Sequence, residues 1–516
     1  MEAILKQFWG TPGGVRSPGA GLSLLLALPV AAVAWLIVRG WGLYALGGFL
    51  LAGVYLFVLA RWQRGVYGLF IYLPFSGAVT LALLPWRGPA ALNPVLYKDW
   101  LFVLPAYFCF LGALFQRRVQ RPPVGRLVTS LLGGLGLLVI AQMANPGVPT
   151  ATVALIGAKV WLLYLPLYVL GAALVTTRGE LTRLLRLLVV LAAVPCAVGI
   201  AEYAMAQVFG YHEVMEAIYG ASAAAATQDF TMREVGAGWI ERIPSTFSFV
   251  TQFFSFTLAM MVPCYALGRM DPSARWRRFG HWMLVLTITA GLLSGSRAAF
   301  VFVPFLLVLM YGLDRGPRGL LRAGGYVAAL VAAGFAVSRV TAVALYEHIS
   351  DLSGAYAQDT AYGALMHAIA TSPMGSGTGT NTGPARYAFD RPELFTPIEN
   401  YYAKVVYELG IPGLLLIWLL FAALIWPGLS MRRRLCDPGL RACAAALVAF
   451  LIALTLYSFK GWFIDLDPVN VYFWVFAGLL VRLPHLQDSG GLRHEQPARG
   501  LDGAACWKVT ATVEGR

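Results

Sequence analysis

Charge is scarce in this chain, because only 12% of its 516 residues are charged while 59% are hydrophobic. A soluble protein usually carries about twice that charged fraction, so the composition excludes an ordinary soluble domain. The alternation of apolar and polar residues that a transmembrane β-barrel needs is also absent. The membrane spans are therefore predicted to be helices, which satisfy their own backbone hydrogen bonds in lipid.

The motifs of several common catalytic sites are missing as well. The six cysteines form no CxxC or Cys/His pattern, and the six histidines form no pair at a metal-ligand spacing. There is neither a GxSxG nucleophile motif nor a GK[ST] phosphate loop. Acidic residues within the apolar runs are few, which counts against a proton-relay pump. The sequence predicts no metal and no cofactor.

Long apolar runs are the main feature that is present. They follow one another from residue 21 to residue 483, and about twenty such residues suffice to cross a bilayer. The fold class predicted is an all-α, polytopic integral membrane protein of about 12–14 transmembrane helices. The gaps between the runs are alternately rich and poor in arginine, as in Arg61 and Arg64 or Arg117, Arg118, Arg121 and Arg126.

This alternation fixes the predicted topology, because arginine-rich gaps stay in the cytoplasm. Both termini are predicted to be cytoplasmic. The formal net charge of +14 is explained by these gaps, so nucleic acid is not expected as a partner. The predicted organisation is a cytoplasmic tail (residues 1–20), a transmembrane domain (21–483) containing a long external loop of short helices (339–409), and a disordered cytoplasmic tail (484–516).

Some cations fall on the predicted external side, against the general bias. They are Lys98, Lys159, Arg242, Arg297 and Arg339. Lys98 and Lys159 are equally explained by snorkelling of a long side chain to the headgroups. Arg297 lies in the short turn SGSRAAF, which is too short for a generic solvated loop. Two guanidinium groups converging at a membrane surface suit a diphosphate, since each offers a planar fork of donors.

The external loop contains two informative segments. HAIATSPMGSGTGTNTG is rich in Gly, Ser and Thr, which indicates either an irregular backbone lying close to another group, for example a ligand, or a flexible loop. TPIENYYAKVVYELGIPGLLL is predicted to start a helix at Glu399 and Asn400. Glu399 is either an acid favoured by the helix dipole or a general base at the membrane surface. Glu408 is the competing candidate for that base.

Taken in order, RIPSTFS, GSRAAF, SPMGSGTGTNTG and ENYYAKVVYELGIPGLLL resemble the O-antigen ligase and O-antigen polymerase superfamily, over about residues 242–416. The members are glycosyltransferases of the bacterial inner membrane. The resemblance implies that Arg242 and Arg297 hold the undecaprenyl diphosphate of a lipid-linked glycan. It also implies that SPMGSGTG is the turn before the last external helix.

The chain departs from the family pattern at two places. Glu399 and Asn400 occupy the position where ligases commonly carry His-Asn, so Glu399 takes the place of the proposed base. The usual arginine before the glycine-rich turn is not evident, because Gln358 and Asp359 occupy that neighbourhood. The first of these departures favours a polymerase of surface polysaccharide or exopolysaccharide repeat units over a lipopolysaccharide ligase.

The function expected from the resemblance is a metal-independent, inverting glycosyltransferase with a periplasmic active site in the bacterial inner membrane. Glu399 is the expected catalytic residue, Arg242 and Arg297 bind the diphosphate, and Lys159, Lys98, Asn400 and Arg339 are weaker candidates for substrate binding. Its expected partners are the undecaprenyl-diphosphate-linked oligosaccharide, a glycan acceptor, the lipid bilayer and other polysaccharide assembly proteins. The alternatives are an O-antigen ligase acting on a lipid A core, a secondary transporter or anion channel, and a flippase for lipid-linked sugars.

Overall fold

The computed structural model describes residues 42–82, 98–222, 224–225, 232–235, 238–337, 361–383, 385 and 398–488. The first predicted span, residues 21–38, and the candidate ligand Arg339 lie outside the described residues. Every other predicted span is mainly helical where it is described. This agreement follows from the apolar runs, since a backbone in lipid must pair its own polar groups.

The helices lie in the order of the predicted spans, with short helices before and between them. Their bounds are α1 (Gly42–Leu59), α2 (Trp62–Tyr72), α3 (Ser76–Ala82), α4 (Leu104–Phe115), α5 (Arg126–Met143), α6 (Ala151–Leu162), α7 (Leu167–Leu174), α8 (Arg178–Phe209), α9 (Tyr211–Tyr219), α10 (Val250–Met270), α11 (Ala274–Leu293), α12 (Ala299–Arg315), α13 (Pro317–Val337), α14 (Ala364–Thr371), α15 (Tyr401–Arg434), α16 (Pro438–Tyr457) and α17 (Val469–Asp488). A 3-10 turn (Leu73–Phe75) joins α2 to α3, and a π-helical turn (Asp99–Val103) precedes α4.

Eight helical segments among the described residues are long and apolar enough to cross a membrane. Two shorter apolar helices, Gly47–Leu59 and Asp99–Phe115, accompany them. The chain is therefore a multi-pass, helical membrane protein. The helices α11, α12 and α13 occupy predicted spans but are not among the eight, so the total of 12–14 spans stays a prediction.

One β-hairpin is an exception to the predicted all-α fold. Strands β1 (Met232–Val235) and β2 (Gly238–Glu241) pair antiparallel, with Met232 opposite Glu241. The predicted boundary of the C-terminal tail also shifts. Helix α17 continues through Pro484 to Asp488, whereas the sequence predicts a disordered tail from residue 484.

The chain divides into two compact units, and the smaller one includes residues 42–68 and 98–111 of the described part. In this unit α2 packs closely against the π-helical turn, because a Cβ on Gly65 would lie 2.7 Å from the carbonyl oxygen of Phe102. The rings of Trp62 and Phe110 meet edge to face with centroids 5.0 Å apart. Small and aromatic residues thus set its packing.

Helix α10 forms the centre of the larger unit. Within its most apolar stretch 89% of the residues are buried, against 17% in α5, which leaves most of α5 for lipid. Helices α8, α11 and α16 pack around α10. Elsewhere in this unit α7 and α17 approach closely, because a Cβ on Gly478 would overlap the carbonyl oxygen of Tyr168.

The larger unit has two chemically different ends. At the arginine end, defined by the connections 175–177, 271–273 and 435–437, arginines pair with aspartates of neighbouring helices, as in Arg186 with Asp271 and Arg178 with Asp437. The loop end is defined by the connections 144–150, 294–298 and 458–468 together with the glycine-rich loop 372–383. The arginine-rich gaps before α8 and after α10, α12 and α15 thus lie at one end, since the Arg432 side chain also donates to the Leu313 carbonyl near the end of α12.

Candidate active site

The segments that carry the two predicted diphosphate ligands lie side by side at the loop end. The backbone N–H of Ile243, next to Arg242, donates to the carbonyl of Ser294 at 3.1 Å. Ser294 begins the turn that carries Arg297, and Gly295 in that turn has a φ of +71°. Arg242 is half-buried, and Arg297 is only 8% exposed. The structure therefore brings the two segments together.

The segment after Arg242 is held in a fixed, unusual conformation. Ser245 has a φ of +54°, a left-handed conformation that non-glycine residues rarely adopt. Its hydroxyl donates to the carbonyl of Pro195 at 2.7 Å, and the Thr246 hydroxyl donates to the carbonyl of Pro74 at 2.5 Å. Backbone strain of this kind persists only where surrounding contacts over-determine it, and it is concentrated at functional sites.

Glu399 and Asn400 lie at the start of α15, as predicted. The Asn400 side chain caps the helix, since its Oδ1 accepts from the backbone N–H groups of Tyr402 and Ala403 at 2.8 and 3.2 Å. Its Nδ2 donates to the carbonyl of Ala361 at 2.6 Å. Asn400 is fully buried and has a structural role, whereas Glu399 is exposed.

A row of aromatic contacts runs from the helix that follows Arg297 to the connection that contacts the start of α15, beside Glu399. Phe302, on the second turn of α12 after Arg297, contacts Tyr457 with ring centroids 4.5 Å apart. Tyr457 stacks on Phe463 of the connection 458–468, at 3.5 Å. The start of α15 contacts the same connection, because the Tyr401 N–H donates to the Ser458 carbonyl at 3.1 Å. Arg242, Arg297 and Glu399 are thus at one end of the bundle, with this connection between the arginines and the acid.

The glycine-rich loop has the irregular, closely packed backbone that its composition indicates, and the group it packs against is protein. Residues Thr378 to Thr382 are buried. The Thr378 hydroxyl donates to the Val139 carbonyl of α5 at 2.9 Å, and the Gln142 side chain donates to the Met374 carbonyl at 2.7 Å. Gly379 has a φ of +92°, and a Cβ there would overlap the Val153 carbonyl. Glycine is required here for close packing against α5 and α6.

Glu408 anchors this loop from α15 and is 0% exposed. Its Oε2 accepts from the Trp161 indole at 2.7 Å and from the Gly379 N–H at 3.0 Å. Its Oε1 accepts from the Asn381 N–H at 2.8 Å and from the Thr382 hydroxyl at 2.9 Å. With both oxygens used by donors of the fold, Glu408 is a structural acid, which weakens its candidacy as the base.

Lys404 and Asp465 form a buried ion pair that the sequence reasoning missed. The Lys404 Nζ donates to Asp465 Oδ2 at 2.5 Å, and the lysine side chain is 1% exposed. The same ammonium group lies 4.9 Å from the ring centroid of Trp161. Burial raises the pKa of Asp465 above its ordinary value, and the charge of Lys404 opposes that shift. A buried acid with a shifted pKa beside a cavity is a functional candidate.

A small cavity adjoins this pair. Its aromatic walls are Trp161, Tyr164, Tyr401 and Trp474, and its carboxylate is Asp465. Its free interior is about the size of one water molecule. Local sequence could not have indicated this cavity, because its lining comes from helices far apart in the chain.

The weaker candidates are dispersed. Lys159 is half-buried in the last turn of α6. Lys98 belongs to the smaller unit, is 1% exposed and pairs with Asp99 at 3.2 Å. Within the described part of the chain, no group of three or more His, Cys, Asp or Glu residues could hold a metal ion.

Comparison of the chain with protein-family models and with curated proteins finds no match. The resemblance to the O-antigen ligase and polymerase superfamily is therefore carried by the motifs alone. The class defined by the fold is a multi-pass membrane protein with a polar, partly buried cluster at one end of its helices.

Proposed function

We propose that the protein is a membrane glycosyltransferase that transfers a glycan from undecaprenyl diphosphate to an acceptor sugar hydroxyl. In this proposal it polymerises surface polysaccharide or exopolysaccharide repeat units on the periplasmic face of the bacterial inner membrane. The observation that supports it most is the backbone contact between Ile243 and Ser294, which joins the Arg242 and Arg297 segments at one end of the bundle.

The chemistry requires stabilised charge on the leaving group. As the glycosidic bond to the lipid diphosphate breaks, negative charge builds on the phosphate oxygens. Guanidinium groups on pre-organised backbone lower that barrier, because they need no rearrangement when the charge appears. The pinned backbone after Arg242 and the low exposure of Arg297 suit this requirement.

The acceptor hydroxyl must lose its proton as it attacks the sugar. In the proposal, Glu399 accepts that proton as general base. A single displacement then inverts the configuration of the anomeric carbon. Glu399 is exposed at the loop end, where an acceptor arriving from outside the bilayer can reach it.

Purified protein incubated with lipid-diphosphate-linked repeat units, with no metal added, tests the proposal. Arg297→Ala and Glu399→Gln are each expected to reduce transfer by about a hundredfold or more. Arg275→Ala is the control for Arg297→Ala, because Arg275 is exposed and lies in the first turn of α11, at the arginine end. Glu216→Gln is the control for Glu399→Gln, because Glu216 is an exposed acid to which the proposal assigns no role. Melting curves show whether each variant is folded.

The products decide between the close alternatives. Growth of the glycan on its own lipid supports a polymerase, and transfer to a lipid A core supports a ligase. Wild-type levels of product from both Arg297→Ala and Glu399→Gln would refute the assigned roles. Ion or solute flux through proteoliposomes, without any transfer, would replace the enzyme with a transporter or channel.

A further inference from the structure

The connection 458–468 presents a carboxylate to the cavity beside α15. Oδ2 of Asp465 is occupied by Lys404, at 2.5 Å, which leaves Oδ1 as the second acceptor of the carboxylate. Asp465 is one of the residues that line the cavity. Tyr401 lines it too. A carboxylate and a phenol thus line the same space.

The charge balance of the cavity limits what can bind there. A carboxylate repels phosphate, and the Lys404 charge is already engaged by Asp465. A cationic ligand is disfavoured as well, because Lys404 already occupies the position over the Trp161 ring at 4.9 Å. The remaining class is a neutral donor of hydrogen bonds, such as an alcohol.

The size and walls of the cavity narrow the class further. A space of about one water admits one hydroxyl group, but not a sugar ring. Aromatic walls pack well against the carbon atom that carries such a hydroxyl, while a few placed polar groups fix its orientation. Tyr401, which lines the cavity, lies two residues after the predicted base Glu399.

We propose that the cavity is a subsite for one hydroxyl group of the acceptor glycan, which donates a hydrogen bond to Asp465 Oδ1 and contacts Tyr401. This inference rests on the proposed function and names the part of the acceptor that is held. Asp465 and Tyr401 bind the acceptor at this subsite, Lys404 positions the carboxylate, and the donor lipid is bound elsewhere.

Adjacent tyrosines provide a matched pair of variants. Tyr401→Phe removes the hydroxyl at the cavity, while Tyr402→Phe removes a buried hydroxyl that donates to the Thr455 carbonyl at 2.7 Å, and Tyr402 does not line the cavity. Acceptor kinetics are measured with delipidated oligosaccharide from the producing cells, at a fixed concentration of their lipid-linked repeat units. Binding of the same oligosaccharide is followed by tryptophan fluorescence, because Trp161 and Trp474 line the cavity.

Tyr401→Phe is expected to raise the KM for the acceptor, and its dissociation constant, by about two- to tenfold, which is the value of one hydrogen bond. The KM for the donor lipid should not change, and Tyr402→Phe should leave both KM values as they are. Asp465→Asn should weaken acceptor binding more strongly. Melting curves show whether the loss of the Lys404 partner has unfolded that variant, in which case Tyr401→Phe alone decides.

Identical acceptor binding by Tyr401→Phe and Tyr402→Phe would overturn the subsite and leave a cavity that holds only a structural water. A shift in the donor KM instead of the acceptor KM would also overturn it. A wild-type protein that transfers no glycan refutes the proposed function, and the fluorescence titration still tests the subsite. Failure of one proposal is therefore distinguishable from failure of the other.

Discussion

Asp437 at the arginine end and Glu408 at the loop end of the larger unit are acids in opposite surroundings. At the arginine end, Asp437 pairs with Arg178 at 2.5 Å while the two side chains remain 22% and 49% exposed. At the loop end, Glu408 is fully buried and receives its hydrogen bonds mainly from neutral donors. Both arrangements join distant parts of the chain. Water can solvate Arg178 and Asp437 if their ion pair breaks, but it cannot replace the hydrogen bonds to the buried Glu408.

This difference has energetic consequences. An exposed ion pair contributes about 0–1 kcal/mol, because water and salt screen it and two long side chains lose freedom. A buried acid with several donors is far more costly to remove, because each donor left without a partner costs about 1–3 kcal/mol. The loss of Glu408 should therefore cost far more stability than the loss of the pair between Arg178 and Asp437.

Glu408→Ala tests this dependence most severely. The substitution leaves the Trp161 indole, two backbone N–H groups of the glycine-rich loop and the Thr382 hydroxyl without their acceptor. We expect a loss of about 3–5 kcal/mol in the free energy of unfolding. The measurement is thermal unfolding in detergent at one fixed scan rate, because membrane proteins often unfold irreversibly.

Two further variants make the Glu408 result specific. Glu408→Gln should fall between the wild type and Glu408→Ala, since its amide keeps one acceptor oxygen and turns a donor toward other donors. Glu399→Ala, at an exposed acid nine residues earlier, should change stability by less than about 0.5 kcal/mol. Equal losses for Glu399→Ala and Glu408→Ala would contradict the contrast between buried and exposed acids.

Gly379→Ala is expected to have the next largest effect. Its φ of +92° strains any L side chain, and its Cβ would overlap the Val153 carbonyl of α6. We expect a loss of about 2–3 kcal/mol, which combines backbone strain with overpacking.

Gly133→Ala on α5 is the matched control, because a Cβ there meets nothing within 4 Å. Alanine favours a helix over glycine, so this variant should melt at the wild-type temperature or above it. If Gly379→Ala also melts like the wild type, the glycine-rich loop is not packed against α6 as the structure has it.

The sequence predicts the helices well, because their signal is local. Apolar runs mark the spans, and Asn400 before a run of helix formers marks the start of α15. For the gaps beside α8, α10, α12 and α15, contacts between the connections agree with the grouping that the arginine pattern predicts, whereas the side of the membrane stays a prediction. These features depend on neighbouring residues, and a single sequence contains that information.

The polar network at the loop end depends on distant residues and could not be predicted. Lys404 and Glu408 are four residues apart, a spacing that usually indicates an ion pair on a helix surface. Instead Lys404 pairs with Asp465, and Glu408 binds Trp161, which lies 247 positions earlier. The glycine-rich segment likewise gives no local sign that helices α5 and α6 enclose it.

Arg178→Ala at the arginine end should have the smallest effect. The variant loses the ion pair with Asp437, in which the arginine side chain is 49% exposed, so the loss is at most about 1 kcal/mol. Arg178 is also the first residue of α8, where a positive charge opposes the helix dipole, and its removal offsets part of that loss. About 1 M salt should abolish the difference in stability that remains between wild type and variant.

Lys404→Met is the buried counterpart of Arg178→Ala. Its larger loss of stability should persist at the same salt concentration, because the Asp465 carboxylate is shielded from ions. If salt instead removes both differences equally, water reaches the Lys404–Asp465 pair, and the two ends of the unit are electrostatically alike.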